Sequence, residues 1–147
     1  MKLKVKVKVF FTAVEPGHPT WPYINYDYPK RAREVMRLLM ESLPEVEFFE
    51  TIISSVEEAK KEARTNEDVD GYLVYLIALK WSELSEEVIK SGRPTLLVDD
   101  LYAGSGKFLK VYGFTRKEGF PVVGITSSRF QDVVGGVRLF SVMKQMK

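Results

Sequence analysis

Five apolar stretches rich in Val, Ile, Leu and Phe recur along the 147-residue chain, and amphipathic segments separate them. Short apolar runs with many β-branched residues, bounded by Gly, Pro, Ser or charged residues, are typical of buried strands. The predicted strands cover residues 3–11, 46–53, 71–77, 95–99 and 121–126.

The segments between these strands repeat their apolar residues with the period of an α-helix. Helix signals accompany them: Ser55 with Glu58 forms a capping box, and Gly92 and Gly119 follow predicted helix ends. The predicted helices run from Pro29 to Leu43, from the Ser55 cap through Arg64, from Ser82 to Lys90, from Phe108 to Lys117, and onward from a cap at Ser127 or Ser128. Gly135 and Gly136 lie inside the last helix, where we expect them to allow close packing on the sheet.

Strict alternation of strand and helix indicates βαβ units, a parallel sheet, and right-handed crossovers that place helices on both faces. Five such units in a chain of this length predict one domain over residues 1–147. The predicted fold is a three-layer α/β/α, flavodoxin-like domain with a five-stranded parallel sheet of strand order 2-1-3-4-5.

The first strand carries a pattern that does not fit a central parallel strand. Lys2, Lys4, Lys6 and Lys8 share one side of it, whereas such a strand is expected to be apolar on both faces. Either the buried part begins near Val7, or the lysines extend past the edge of the sheet. We favour the first explanation.

Composition narrows the class of protein. The chain is 45% hydrophobic, has a formal net charge of +2 and contains no Cys. A nearly neutral chain without a basic stripe argues against nucleic acid or an anionic membrane as partner. The sequence holds no apolar run of the ~20 residues that span a bilayer. We therefore expect a cytoplasmic protein, and the abundant Lys, Glu, Arg and Val favour a thermophilic source.

A site is expected beyond the carboxyl ends of the strands, near the switch in strand order between the first and third strands. The connectors that meet there are residues 12–28, 77–82 and 99–107. They hold His18, the aromatic residues Trp21 and Trp81, and an acidic pair, Asp99–Asp100. Aromatic rings with a few polar groups suit a sugar or polyol, whose C–H faces pack on rings while its hydroxyls need polar partners.

Each of these features has an alternative explanation. The aromatic loop can serve as a satellite core or a subunit interface. The Asp99–Asp100 pair can ligate Mg²⁺, or it can cap the following turn. His18 is expected to be a surface or hydrogen-bonding residue, and Lys107 either steers an anion or is solvated. Gly104 and Gly106 either let a ligand approach the main chain or allow positive φ in a turn.

Several well-known site motifs are absent. The glycines before Lys107 fail the P-loop pattern, because Leu101 stands at its first position and Phe108 at its last. A dinucleotide fingerprint would need Gly where Leu109 stands. No nucleophile elbow or convincing catalytic triad is present.

The stretch Leu-Leu-Val-Asp-Asp at 96–100, with Tyr-Ala-Gly-Ser-Gly-Lys-Phe-Leu at 102–109, resembles the N-terminal domain of the L-fucose/L-arabinose isomerase-like family. The pattern Pro-Val-Val-Gly-Ile-Thr-Ser-Ser-Arg-Phe at 121–130 is similar to it as well. The likeness covers most of this chain but only the first part of a family protein.

The resemblance implies a substrate-binding and oligomerisation domain of a ketol isomerase, an intramolecular oxidoreductase that uses Mn²⁺. The family's metal ligands and catalytic carboxylates belong to later domains, so we expect this chain alone to be inactive, with no catalytic residue, metal ligand or cofactor of its own. The implied partners are a small sugar, downstream catalytic domains or a neighbouring subunit, in a homo-oligomer. The expected substrate-binding residues are Trp21, Trp81, Asp99, Asp100, Tyr102, Gly104, Ser105 and Gly106, with Ser127 and Arg129.

Two further hypotheses come from other classes of protein. One is a free-standing flavodoxin-like module that binds a small ligand or regulates a partner. The other is a purely structural domain whose aromatic loop forms an interface.

Overall fold

The fold is described from a computed structural model that covers residues 4–14, 19–20, 25–65, 68–77, 83–100 and 105–146. The strands are β1 (Val5–Thr12), β2 (Val46–Ile53), β3 (Gly71–Leu76), β4 (Thr95–Asp99) and β5 (Val122–Thr126). The helices are α1 (Tyr28–Ser42), α2 (Val56–Ala63), α3 (Glu83–Ile89), α4 (Ser105–Glu118) and α5 (Phe130–Gln145).

All five strands are parallel and form one sheet in the order β2-β1-β3-β4-β5. Helices cover both faces, so the fold is a three-layer α/β sandwich and the predicted fold class is confirmed. The switch in strand order lies between β1 and β3, as predicted. None of the helices within the described ranges is long and apolar enough to cross a bilayer.

Two apolar layers flank the sheet. Alternate residues of each strand point to opposite faces, so Val9 and Phe11 pack with α1 and α5, whereas Phe10 packs with α2, α3 and α4. The same alternation separates Asp99 from Asp100 at the end of β4, because the side chains of consecutive residues point to opposite faces of the sheet.

The predicted start of the buried part of β1 near Val7 is wrong. Val5 is already buried, and the Lys8 side chain is only 1% exposed. Its ammonium group donates to the Glu62 carboxylate at 3.0 Å, to the Glu62 carbonyl at 2.9 Å and to the Thr65 hydroxyl at 3.1 Å. All three ammonium N–H groups are thus satisfied, which explains how a lysine is tolerated beneath α2.

Most helix ends follow the sequence signals. The Ser55 side chain accepts a hydrogen bond from the Glu58 amide at the start of α2, and Gly92 and Gly119 adopt positive φ after α3 and α4. One exception is α5, whose N-cap is Arg129 and not the predicted Ser127 or Ser128. The other is α4, which begins at Ser105, three residues before the predicted Phe108. Gly106 therefore lies in the first turn of a helix and has no positive φ.

Of the two glycines in α5, only Gly136 has the predicted packing role. A Cβ atom at Gly136 would lie 2.6 Å from Ile125 Cδ1 and 2.9 Å from Leu96 Cδ2, whereas one at Gly135 would meet nothing within 4 Å. Gly136 thus lets α5 pack closely on β4 and β5, and Gly135 faces away from the sheet.

Candidate functional site at the carboxyl edge

The carboxyl ends of the central strands meet at one edge of the sheet. The Asp100 amide donates to the Leu76 carbonyl at 3.1 Å, which fixes the end of β4 beside the end of β3. On the other side of the switch, the Ala13 amide donates to the Ile53 carbonyl at 2.8 Å. The residues that follow four strands are therefore held at one level.

An ion pair dominates this edge. The Arg31 guanidinium donates from Nε to Asp100 Oδ2 at 3.0 Å and from Nη2 to Asp100 Oδ1 at 2.8 Å. The Asp100 side chain is 1% exposed and that of Arg31 is 18% exposed. A third contact, at 3.3 Å, joins Arg31 Nη1 to the Glu34 carboxylate on the same helix.

Local sequence places Arg31 at this edge. Asp27 caps α1 by accepting a hydrogen bond from the Lys30 amide, and Pro29 occupies the first turn, where its missing N–H costs nothing. Arg31 follows in that first turn and its amide bonds the Asp27 carbonyl. Because α1 returns from the carboxyl edge, its first turn lies beside Asp100.

Tyr75 is the third member of the cluster. It is buried, and its ring lies 5.8 Å from that of Phe11. Burial raises the pKa of the Tyr75 phenol above its ordinary value, and the charge of Asp100 and a hydrogen bond to it raise that pKa further, while Arg31 opposes the rise. The hydrogen bond to Asp100 raises the pKa of Arg31, outweighing the effect of burial. At neutral pH the Tyr75 phenol is therefore neutral and the Arg31 guanidinium is charged.

The two consecutive aspartates have different surroundings. Asp100 follows the direction of Val98 toward α1 and α5, whereas Asp99 follows Leu97 toward the helices of the other face. Both Asp100 oxygens accept hydrogen bonds from Arg31, and the two carboxylates do not converge on one point. Within the described ranges, no group of three or more His, Cys, Asp or Glu residues could hold a metal ion.

The remaining predicted site residues are placed only in part. Trp21, Trp81, Tyr102 and Gly104 lie outside the described residues, as does His18. Ser105 and Gly106 open α4 at the carboxyl edge, and Gly106 is exposed. The proximity of the two tryptophans to Ser105, on which the predicted pocket depends, remains a prediction.

Ser127 and Arg129 lie at the same edge, after β5, on the far side of β4 from the switch in strand order. The Ser127 hydroxyl donates to the Asp132 carboxylate and accepts a hydrogen bond from the Arg129 amide at 3.0 Å. The Arg129 side chain is 77% exposed. Both residues precede Phe130, the first residue of α5, and Arg129 is the N-cap of that helix. They follow β5, whereas Asp100 follows the neighbouring strand β4.

Arg31 and Tyr75 were not predicted as site residues from the sequence. Arg31 stands in the first turn of α1, where acidic side chains are favoured by the helix dipole and none is present. A cation in that position is a signal that it serves a nearby carboxylate. Tyr75 gave no such signal, because a Tyr inside a strand is ordinary core composition.

Comparisons with known proteins do not assign this chain to a family. No protein-family model matches the chain, and no curated protein matches it. One similar solved structure is that of an adenylate cyclase from Rhodopirellula baltica, with 9% identity, coverage of 95% of each chain and a TM-score of 0.47. A likeness this weak says nothing about the activity of this chain.

The predicted membership of the L-fucose/L-arabinose isomerase-like family is wrong. No model of that family or of any other matches the chain, and no curated protein of that family matches it. The predicted function in a ketol isomerase, with its carbohydrate substrate, is corrected with it. The short motifs that suggested it are explained by the fold: β4 ends at Asp99, and Ser105–Gly106 form the first turn of α4.

Proposed function

We propose that this protein is a small-ligand-binding or regulatory module whose ligand binds at the carboxyl edge of the sheet, beside Arg31. The observation that carries the proposal is the pairing of Arg31 with Asp100, a carboxylate with a 1% exposed side chain, next to the switch in strand order. This is the place where open α/β sheets bind their ligands.

Retention of a buried ion pair at this place supports a role in binding. Desolvation of two charges costs several kcal/mol per ion, and an apolar pair of similar volume is often as stable or more stable. Two hydrogen bonds to Asp100 hold the guanidinium in a fixed position, and preorganised groups of this kind reduce the entropy lost on binding. The pair therefore suits recognition better than stability.

The donors of Arg31 indicate the chemistry of the ligand. A guanidinium has five N–H groups; of these, two donate to Asp100 and a third points at Glu34. Two remain for acceptor oxygens, such as those of a carboxylate or a phosphate group. The Arg31 side chain is 18% exposed, so part of it is open to a ligand.

Calorimetric titration tests the proposal with phosphate, dicarboxylates, nucleotides and flavin mononucleotide as probes. Arg31→Lys, which retains the charge and loses the fork of donors, is expected to weaken binding by roughly tenfold or more. Glu34→Gln removes a competing carboxylate, so we expect it to strengthen binding. Arg37→Gln is the matched control, since Arg37 also forms an ion pair on α1, with Glu41, but both side chains are exposed.

Binding that Arg37→Gln weakens as much as Arg31→Lys does, or the failure of every probe to bind the natural chain, would contradict the proposal. Circular dichroism of each variant distinguishes a lost ligand contact from a lost fold.

We also infer a single domain over residues 1–147 and a cytoplasmic location. The alternation of all five βα units within one sheet supports the first, and the absence of Cys in the sequence supports the second.

A further inference from the structure

Exposed apolar side chains occur on the two outer strands of the sheet and on helices beside them. β2 pairs only with β1 and β5 pairs only with β4, so these two strands form the edges. Such edges are prone to pair with another chain. The large hydrophobic side chains that are exposed among the described residues are Met40 of α1, Phe49 and Ile52 of β2, Leu109 of α4, Val123 of β5, and Leu139, Val142, Met143 and Met146 of α5.

The β2 edge carries a groove between that strand and α1. Met36, Met40, Glu50 and two arginines of α1 are among the residues that line it, and its volume is about 460 Å³. Ile52, two residues after Glu50, lies on the same face of β2 and is 41% exposed. Methionine side chains adapt readily to a partner's shape, so this groove suits an apolar helix surface.

The β5 edge carries a complementary ridge on the same face of the sheet. Gly136 packs on Ile125 of β5, and Leu139 and Met143, three and seven residues later, lie on the same side of α5. Both are exposed, at 45% and 39%. They form an apolar ridge on the flank of α5 that faces β5. Beyond this flank the helix crosses toward the centre of the sheet, since Phe140 lies over Gly71 of β3 and the Lys144 ammonium donates to the Lys4 carbonyl at 2.9 Å.

Because α5 crosses away from β5, it leaves part of that strand uncovered. Val123 of β5, on the same face of the sheet as Ile125, is 50% exposed and lies beside the ridge.

On the opposite face, the two edges carry opposite charges. Phe108 and Tyr112 of α4 pack against Gly124 of β5, so Arg116, one turn after Tyr112, lies on the β5 side of α4. Glu47 of β2 is on the same face of the sheet, because it is paired with Lys6 and alternates with Phe48, which packs on the α1 face. Both lie near the amino ends of the strands, since α4 runs antiparallel to them.

We propose that a second copy of this chain binds head to tail, with its β5 edge against the β2 edge of the first copy. When β5 of the second copy pairs in parallel with β2 of the first copy, the sheet continues from one copy to the next. The ridge of α5 in the second copy then lies against the groove beside α1 in the first, at the level of Met40. The same pairing places Arg116 of one copy at the level of Glu47 of the other. This contact between the two copies covers the exposed apolar side chains of both the ridge and the groove. Because the β5 edge and the β2 edge are different surfaces, the interface is heterologous, and its repetition gives a ring or a helical filament.

Two single-edge variants test this arrangement. Met40→Glu alters only the β2 edge and Val123→Glu only the β5 edge; both positions are exposed, so we expect the folds to persist. In analytical ultracentrifugation, the natural chain is expected to form dimers and larger species as its concentration rises. Each variant alone is expected to be monomeric, and an equimolar mixture of the two is expected to stop at a dimer, because each variant retains one intact edge.

Exchange of the charges of Glu47 and Arg116 tests the contact between these two residues. Glu47→Lys and Arg116→Glu are each expected to weaken association by roughly tenfold, and the chain with both substitutions is expected to recover it. Glu83→Lys at the start of α3 is the control, since α3 lies between α2 and α4 and away from both edges. A natural chain that stays monomeric at every soluble concentration, single-edge variants that assemble as it does, or a mixture that stays monomeric would each overturn the proposal.

Discussion

Arg31 and Asp100 are joined by two hydrogen bonds, from Nε to Oδ2 at 3.0 Å and from Nη2 to Oδ1 at 2.8 Å, across 69 residues of sequence. The pair ties the first turn of α1 to the end of β4, next to the point where the strand order switches. Because Asp100 is buried, its charge depends on Arg31 for compensation, and both the stability of the domain and the geometry of the candidate site follow from that dependence.

The first prediction concerns this pair. Arg31→Met leaves the buried Asp100 carboxylate without its guanidinium, so the free energy of unfolding is expected to fall by about 3 kcal/mol. Urea denaturation at neutral pH measures the change. Lys30→Met, an exposed cation one residue away, is the control and should change stability by less than about 0.5 kcal/mol. Equal losses in the two variants would show that Asp100 does not depend on Arg31.

The second prediction is a loss of stability in alkali that depends on Tyr75. The pKa of this phenol is raised in the folded state, whereas in the unfolded chain it ionises near pH 10. Above about pH 10 the unfolded state therefore binds one proton fewer than the folded state, and stability falls by about 1.4 kcal/mol per pH unit from this group. Below that pH, its contribution is constant.

Tyr75→Phe should reduce the slope of stability against pH above about pH 10, because phenylalanine has no group that ionises there. Denaturation at a series of alkaline pH values measures the slope. If the natural chain and Tyr75→Phe have the same slope, the phenol ionises as readily in the fold as outside it.

The third prediction is an asymmetry between Lys8 and Glu62. The Lys8 side chain is 1% exposed and that of Glu62 is 31% exposed. Glu62→Gln removes a carboxylate that the buried Lys8 ammonium contacts at 3.0 Å, and it should reduce the free energy of unfolding by about 3 kcal/mol. Lys8→Met leaves only a carboxylate that water can reach, so we expect a change below about 1 kcal/mol. The reverse order of the two losses in urea denaturation would contradict this account.

The fourth prediction compares adjacent glycines of α5. Gly136→Ala forces a Cβ within 2.6 Å of Ile125 Cδ1 and should destabilise the domain by about 1–3 kcal/mol. Gly135→Ala meets nothing within 4 Å and should stabilise the domain by up to about 1 kcal/mol through helix propensity. Thermal unfolding of the two variants gives the signs, and a stabilising Gly136→Ala would show that α5 can move away from the sheet.

The fold followed from the sequence because local signals agreed with one another. Apolar stretches located each strand almost to the residue, and a parallel sheet with right-handed crossovers then left few possible topologies. The error at Lys8 arose because a buried lysine is defined by partners distant in sequence, Glu62 and Thr65, and no pattern within β1 reveals them.

Of the candidate site, only the position in the fold was predicted from the sequence. The carboxyl edge and Asp100 were predicted, because strand ends can be read from the sequence. The partners of Asp100 could not be, since Arg31 and Tyr75 come from two other elements that only the folded chain brings together. The start of α4 was misplaced for a related reason: Ser105 and Gly106 have turn propensity, and tertiary packing of the helix prevailed over it.

Binding at the carboxyl edge is tested most directly by mapping ligand-induced shifts of backbone amide signals by nuclear magnetic resonance. Phosphate, dicarboxylates, nucleotides and flavin mononucleotide are added in turn to the natural chain and to Arg31→Lys. A ligand of this site should shift the signals of Arg31, Asp99, Asp100 and Gly106, leave those of Asp70 and Lys144 at the opposite edge unchanged, and bind the variant more weakly. Shifts centred on Asp70 and Lys144, or signals that no probe moves, would contradict a ligand site at the carboxyl edge.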